Sequence, residues 1–544
     1  METTRTYIVT LKSKEELHEF YDEMENYCPI DFIPHREVSC VNRRPISRNT
    51  YYEMTDTEAG ELKNDIRVKA IELTPKERGL KIRPFYTQHS DYWNKSSTNN
   101  SNHNNWGLLR CVEGVQRANW GIDGTANQTG DILITNEGRN VDVVIVDGHI
   151  NPLHPEYAIN SDGSGGSRVN QFNWLSLNPV VTGQPVGTYV YTPYTGGADE
   201  RENNHGAHVA GTVAGNTQGW ARSANIFNLS PYSSNPNVIS TDVLIDYIRV
   251  FHSSKSINSI TGHKNPTITN HSWGFASQLD IDTITSVYFR GVTYTGPFTE
   301  SQLNNYGVHT ELIEGTVYAI RPARVVAIDA DIEDAITEGV LFIGAAGNDY
   351  TKIDIESGDD YDNYFMWGIY TVPYHKGSSP GSAPGMICVG AISSLENETK
   401  ATFSNCGPRV DVYAPGYSIQ SSFNNTVSFG GVPDPRNSSY YIGKISGTSM
   451  ASPQTCGLLA CVLETYPDMT QAQLLEYLRF ISKGDQITDT GGGLTDYTSL
   501  QGSENIYIAH RQEREVSGSV YPKRDYFIRP SVNFVYPRVS LRRY

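Results

Sequence analysis

No stretch of the 544 residues approaches the roughly 18 consecutive apolar residues that crossing a bilayer demands. The N-terminal Met-Glu-Thr-Thr-Arg opens no basic segment followed by an apolar one, so no secretory signal peptide is expected. Together these absences predict a soluble protein, intracellular on synthesis. Basic charge is also scarce. Lys and Arg number 43 against 60 Asp and Glu, a formal net charge of −17, which argues against general nucleic-acid binding by the whole chain. The seven cysteines, Cys28, Cys40, Cys111, Cys388, Cys406, Cys456 and Cys461, are odd in number and scattered, with no CxxC spacing. Reduced, mostly buried thiols are expected from them, with room for one or two disulfides. No zinc-type spacing, phosphate loop or internal repeat occurs.

What remains is a globular composition, 38% hydrophobic and 19% charged, in a chain too long for one ordinary domain. Residues 1–93 read as a small α/β unit. Tyr7–Leu11 is a strand. Ser13-Lys14-Glu15-Glu16 fits a capping box before Leu17, Phe20, Tyr21 and Met24 at helical spacing. Thr55-Asp56-Thr57-Glu58 is a second box, and Val68–Leu73 alternates as a strand, which suggests a ferredoxin-like fold. Residues 94–105, rich in Asn and Ser, read as a polar linker. Over 106–480, strand and helix patterns alternate. Val141–Val146 is a nearly continuous apolar run, as a strand buried on both faces should be. The alternation predicts a doubly wound, mainly parallel sheet with helices on both faces. The Thr-rich, aromatic stretch 276–325 reads as an insertion, with a β-hairpin as its expected form. Residues 481–544 form a C-terminal extension whose last part, from 510, carries eight Lys/Arg against three Asp/Glu with interleaved aromatics. It is read either as a docking segment for a protein partner or as an arm packed on the body.

Three segments carry chemistry. Asp147 ends the apolar run Val143–Val146, where an open parallel sheet gathers its functional groups. His205 heads the run Gly-Ala-His-Val-Ala-Gly-Thr. Ser449, in Ser446-Gly-Thr-Ser-Met-Ala-Ser-Pro453, precedes an apolar helix whose N-terminus favours a developing anion. Alone, each has an ordinary structural explanation: a strand-ending Asp, a packed His, an N-cap Ser. Together, carboxylate, imidazole and hydroxyl make the relay that activates a serine, in the chain order Asp, His, Ser.

On these segments the sequence resembles the subtilisin-like serine proteases over roughly residues 106–480. The resemblance implies a serine endopeptidase acting on polypeptides, with Ser449 attacking the carbonyl, His205 moving the proton and Asp147 orienting His205. Asn348, in Ala345-Ala346-Gly347-Asn348, matches the family's oxyanion-hole amide. Ser272, Trp273 and Gly274 match its substrate-pairing edge strand, and with Ala345, Ala346 and Gly347 they should line the pocket before the cut. The N-terminal unit resembles the family's prodomain, which would lie in the cleft until cut near the 94–105 linker, before Trp106. Two departures stand out: Asp147-Gly148-His149 lacks the usual hydroxyl residue after Asp, and Trp273 replaces Leu. Glu156 falls where many relatives hold calcium, and the acidic loop Asp354, Glu356, Asp359, Asp360 and Asp362 is a second candidate; no cofactor is needed for the chemistry itself. The alternative is a catalytically weak or inactive scaffold serving as a structural or assembly protein, a role that would suit a virion.

Overall fold

The computed structural model of the chain describes residues 3–26, 38–44, 46–84, 87–88, 106–111, 136–191, 200–231, 239–393, 398–424 and 431–510. The linker expected at 94–105, the basic tail and Cys28 lie outside them. The other six cysteines carry free thiols.

The N-terminal unit runs β1 (Arg5–Leu11), α1 (Leu17–Glu25), β2 (Cys40–Arg43), β3 (Asn49–Met54), α2 (Asp56–Leu62) and β4 (Val68–Leu73). Its strands lie in the order β2-β3-β1-β4, each neighbouring pair antiparallel. This is the split βαβ arrangement of a ferredoxin-like fold. Helix α1 buries Leu17, Phe20, Tyr21 and Met24 on the face that its spacing predicts. Thr55 and Glu58 form both halves of a capping box at α2. The box expected at Ser13 does not form. The Ser13 hydroxyl is taken by the Glu15 N–H within a local turn, and α1 starts at Leu17 without a side-chain cap.

After β4 come β5 (Lys81–Pro84), β6 (Thr87–Gln88), α3 (Trp106–Cys111), β7 (Asp142–Val146), β8 (Val169–Asn170), α4 (Asn178–Val181), α5 (Glu200–Ala214), β9 (Asn225–Leu229), α6 (Leu244–Ser254) and β10 (Thr267–His271). The region of the expected insertion holds β11 (Trp273–Asp280), β12 (Ile284–Phe289), β13 (Val292–Thr295), α7 (Glu300–Asn305), β14 (Thr310–Ile313) and β15 (Thr316–Pro322). Then follow α8 (Val326–Thr337), β16 (Leu341–Ala345), β17 (Tyr364–Trp367), β18 (Tyr370–Pro373), β19 (Ile387–Ile392), β20 (Val412–Pro415), β21 (Ile419–Phe423), β22 (Val432–Asp434) and β23 (Asn437–Ser446). The described chain closes with α9 (Thr448–Thr465), α10 (Gln471–Ile481), β24 (Lys483–Gly484) and β25 (Ile506–Tyr507).

Among the described residues, nine strands form the central sheet in the order β24-β25-β20-β19-β16-β10-β7-β9-β8. Its neighbouring pairs are parallel except β24 with β25. Both faces are buried. Val143 and Ile145 of β7 join one core with α9 and α10, while Val144 and Val146 join the other with α6 and α8. The doubly wound sheet is thus the one the alternating pattern predicts.

The 276–325 stretch is more than one hairpin. β12 and β13 join β17 and β18 in a four-stranded sheet, which closes a core of its own around Val287, Phe298 and Phe365. A lone two-stranded hairpin is marginal in water, and the later pair supplies the missing strands.

Arg44, between β2 and β3, ties the N-terminal unit to the body. It donates to Asp246 on α6 at 2.7 Å and to Asp331 on α8 at 2.8 Å, with all three side chains at most 2% exposed.

Candidate active site

Asp147 follows β7 directly, at the carboxyl end of a central strand, and His205 lies in the second turn of α5. The helix can approach because residue 206 is Gly: a Cβ there would meet the Gly148 carbonyl oxygen at 2.1 Å. His205 Nδ1 and Asp147 Oδ1 are 2.7 Å apart, with both side chains at most 1% exposed. A carboxylate at this distance selects the imidazole tautomer protonated on Nδ1 and leaves Nε2 as the base. The Gly148 N–H donates to Asp147 Oδ1 at 2.7 Å, while Asp147 Oδ2, with no hydroxyl residue after it, is buried without a hydrogen-bond partner among the described residues. The His149 ring plays no part in this; the residue's hydrogen bond runs from Asn424 Nδ2 to its own carbonyl. Burial lowers the pKa of the His149 ring. His208, three residues after His205, is directed elsewhere. Its Nε2 is 2.7 Å from the Ile419 carbonyl oxygen, and burial pushes its pKa down to about 3.

Ser449 is the second residue of α9 and is fully buried. Its Oγ donates to the Ser272 carbonyl at 2.8 Å, and Ser272 Oγ donates back to the Ser449 carbonyl at 2.9 Å. The end of β10 is tied to the same helix, because Ser452 Oγ donates to Asn270 Oδ1 at 2.7 Å and Asn270 Nδ2 to Ser272 Oγ at 2.9 Å.

Asn348 is held by the residue before Ser449. Its Oδ1 accepts from both the N–H and the hydroxyl of Thr448, each at 2.9 Å. With the oxygen so engaged, the amide nitrogen is the free end, and Asn348 Nδ2 is buried with no hydrogen-bond partner among the described residues. A buried unpaired donor is costly in a resting protein, and its cost is recovered where a developing oxyanion accepts from it. Gly347 donates its N–H to Thr448 Oγ1 at 3.1 Å. It turns the chain with φ of 105°, and a Cβ there would meet Asn405 Nδ2 at 2.5 Å. Thr448, Asn270 and Ser452 were not singled out in the sequence; only their place inside or beside the motifs could have suggested them.

The other predicted site residues fall together. Ala345 ends β16, and Ala346 is fully buried beside it. Trp273 and Gly274 begin β11, whose edge is paired antiparallel by β5: Gly274 faces Arg83 and Trp273 faces Pro84. The Trp273 ring is buried edge-to-face against Phe275.

A family model described as the subtilase family matches residues 138–491. The chain belongs to the subtilase family. Among its relatives are the subtilisin-like serine protease Pen ch 18 of Penicillium rubens, 27% identical over 347 residues, and subtilisin-like protease 8 of Trichophyton verrucosum, 27% identical over 329. These alignments cover 60% and 56% of this subtilase but 53% and 51% of the relatives, so the chain spans about half the length of the curated relatives it matches. Among solved structures, fervidolysin from Fervidobacterium pennivorans, described as a keratinolytic enzyme related to subtilisin, aligns at 18% identity with a TM-score of 0.48, covering 93% of this subtilase and 60% of that chain.

The subtilase departs from the calcium expectation at Glu156. Its carboxylate is fully buried and already satisfied: Arg436 and the Thr217 hydroxyl bond Oε1, while the backbone N–H groups of Thr217 and Gln218 reach Oε2 at 3.0 and 3.2 Å. A guanidinium stands where a cation would, so Glu156 does not fit a calcium site. Burial alone would raise its pKa, but Arg436 and the Thr217 bonds outweigh it and hold the carboxyl below the ordinary range. In the acidic loop, Asp354 and Asp360 both bond Lys352 Nζ at 2.9 Å, and Arg290 holds Asp360 as well. No helix among the described residues is long and apolar enough to cross a membrane.

Proposed function

We propose that this subtilase is a serine endopeptidase with Asp147, His205 and Ser449 as its triad. The observation that carries the reading is the buried 2.7 Å contact of His205 with Asp147 at the end of β7, beside the end of β10, where the Ser272 carbonyl accepts from the Ser449 hydroxyl. In the reaction, Ser449 Oγ leaves the Ser272 carbonyl, gives its proton to His205 Nε2 and attacks the scissile carbonyl carbon. Apo hydrogen bonds at such sites commonly tighten only in the productive complex. Asp147 steadies the imidazolium, and Asn348 Nδ2 donates to the tetrahedral oxyanion beside the Ser449 N–H. His205 then protonates the leaving amine, water repeats the sequence on the acyl-enzyme, and Ser449 is restored.

The N-terminal unit acts as a prodomain. Supporting this are the antiparallel seat of β5 on the edge of β11, which is how an extended substrate adds to a sheet, and the Arg44 anchor on α6 and α8. Polypeptides are the substrates of the processed enzyme. A fluorophosphonate probe tests the nucleophile: one adduct mapping to Ser449, abolished in His205→Ala, is expected. Labelling at another serine, or none under any condition, would overturn the assignment in favour of a non-cutting scaffold.

A further inference from the structure

β11 is paired on both sides, by β5 and by β15. Opposite residues of antiparallel neighbours stand on the same face of a sheet, and alternate residues along one strand share that face. Trp273, Phe275, Ser277 and Leu279 therefore share one face of β11, with Arg321 opposite Ser277 and Ala319 opposite Leu279 on β15. Trp273 and Phe275 join the core shared with α6 and α8, while Leu279 and Ala319 join the core of the inserted sheet. The Ser277–Arg321 row is thus a polar row between two apolar ones.

Neither member of that row is satisfied. Arg321 makes one long hydrogen bond, 3.3 Å from Nε to the Pro322 carbonyl, and no ion pair among the described residues. The charge it meets from the N-terminal unit is of its own sign, that of Arg78. Arg78 is itself engaged with Glu72 at 2.8 Å and with the Arg324 carbonyl at 3.0 Å. Burial and Arg78 together pull the Arg321 pKa down to about 9. Ser277 Oγ is buried with no hydrogen-bond partner among the described residues. An unpaired guanidinium and an unpaired hydroxyl side by side are the donors a carboxylate accepts from. The pairing of β5 stops one residue short of this row. The Leu80 N–H bonds the Pro75 carbonyl at 2.9 Å in the turn before β5, and Lys81, the first residue of β5, faces Ala276. An extended peptide that kept this register and ran straight on would set its next residue opposite Ser277. That residue would stand roughly 10 Å, two strand spacings, from Arg321, with Ser277 between them. The long side chains of Glu and Arg close such a gap, whereas an apolar side chain would leave both polar groups unpaired.

Resting on the endopeptidase reading above, we propose that Arg321 and Ser277 form a substrate subsite for an acidic side chain on the amino side of the cut. The guanidinium pairs with the carboxylate, and the Ser277 hydroxyl donates to it. Because Arg321 belongs to β15, the inserted region extends the substrate-binding edge beyond β11 itself. The substrates this subtilase favours are then extended polypeptides with Asp or Glu at the position facing Ser277, upstream of the residue that faces Gly274. The N-terminal unit brings Arg78 to the same place, a like charge, so the subsite favours an acidic substrate over the unit that covers it.

The experiment uses quenched-fluorescent peptides in which Glu, Gln or Lys is placed in turn at each position of a long stretch before the cut. The ratio of kcat/KM for each Glu peptide to its Gln counterpart is measured within one preparation, for wild type, Arg321→Gln and Arg321→Glu, each produced from the full chain. The expected result in the wild type is a Glu preference of about 2- to 5-fold at one position, the range of a partly exposed ion pair, weakened by added salt. The preference should disappear in Arg321→Gln and reverse in Arg321→Glu, which should favour Lys at that position. No Glu preference at any position, in a wild type whose Ser449 is labelled by a fluorophosphonate, overturns the subsite and leaves the endopeptidase reading standing. A preference that survives in Arg321→Gln overturns it equally. Neither turnover nor label fells the underlying reading too.

Discussion

Replacing Arg44 by Met should loosen the N-terminal unit from the body in a way that acid reverses. Arg44 bridges Asp246 and Asp331 with almost no exposure. The two carboxylates fare differently without it. Asp246 keeps Arg249 at 3.2 Å. Asp331 keeps only neutral donors, Ser47 Oγ at 2.6 Å and Asn49 Nδ2 at 3.2 Å. Removing one partner of a buried pair leaves the other charge uncompensated, at a cost of about 3–5 kcal/mol. Burial already raises the Asp331 carboxyl to about 6 against the pull of Arg44, and the variant raises it further. A carboxyl whose folded pKa is raised stabilises most below its ordinary value of 3.8 and loses that contribution as pH rises through the folded value. The Arg44→Met penalty should therefore be full at pH 7.5 and fall to less than about half at pH 5, where Asp331 takes a proton. Urea unfolding of the full chain in a Ser449→Ala background, at both pH values, reads this out. A loss under about 1 kcal/mol at pH 7.5, or an equal loss at both, would refute the argument.

Asn348→Asp keeps the acceptor for Thr448 but removes the oxyanion donor, so kcat on a peptide substrate should fall by about 10²–10³ with KM little changed; a matching rise in KM would assign Asn348 to substrate binding instead. Asp147→Asn favours the wrong imidazole tautomer and should lower kcat by about 10⁴ with the fold intact by circular dichroism; near-normal turnover would remove Asp147 from the triad. Glu156, whose folded pKa is depressed, contributes stability that is present above its ordinary pKa and lost as pH falls through the folded value. Arg436→Met should accordingly cost about 3–5 kcal/mol at pH 7 and much less near pH 4 in thermal unfolding; a penalty that stays constant with pH would show that Glu156 does not need the guanidinium.

Much of this was legible in the sequence, because the decisive signals are local. The apolar run ending at Asp147 has the pattern of a strand buried on both faces, and the Thr55–Glu58 box declares a helix start in four residues. His205 and Ser449 announced themselves through small neighbours, and Gly206 shows why: the helix must touch the Gly148 carbonyl. What was hidden depends on distant partners. Glu156 meets Arg436 across a separation of 280 residues, and no local pattern says that a guanidinium will fill that place. Arg44 is one arginine in a turn until α6 and α8 bring two aspartates to it. β5 and β6, four and two residues long, carry too little alternation to read as strands, yet β5 pairs with β11 and β6 with β23. At Ser13 a local signal misled, since the same hydroxyl serves a turn as readily as a helix cap.

The central claim is that Ser449, activated by His205 and Asp147, performs the cleavage. Its most direct test is the rate of peptide hydrolysis by wild type and Ser449→Ala, prepared in parallel and both confirmed folded. The account predicts turnover by the wild type and a loss on the order of 10⁶-fold in the variant. Equal rates in the two preparations would contradict it.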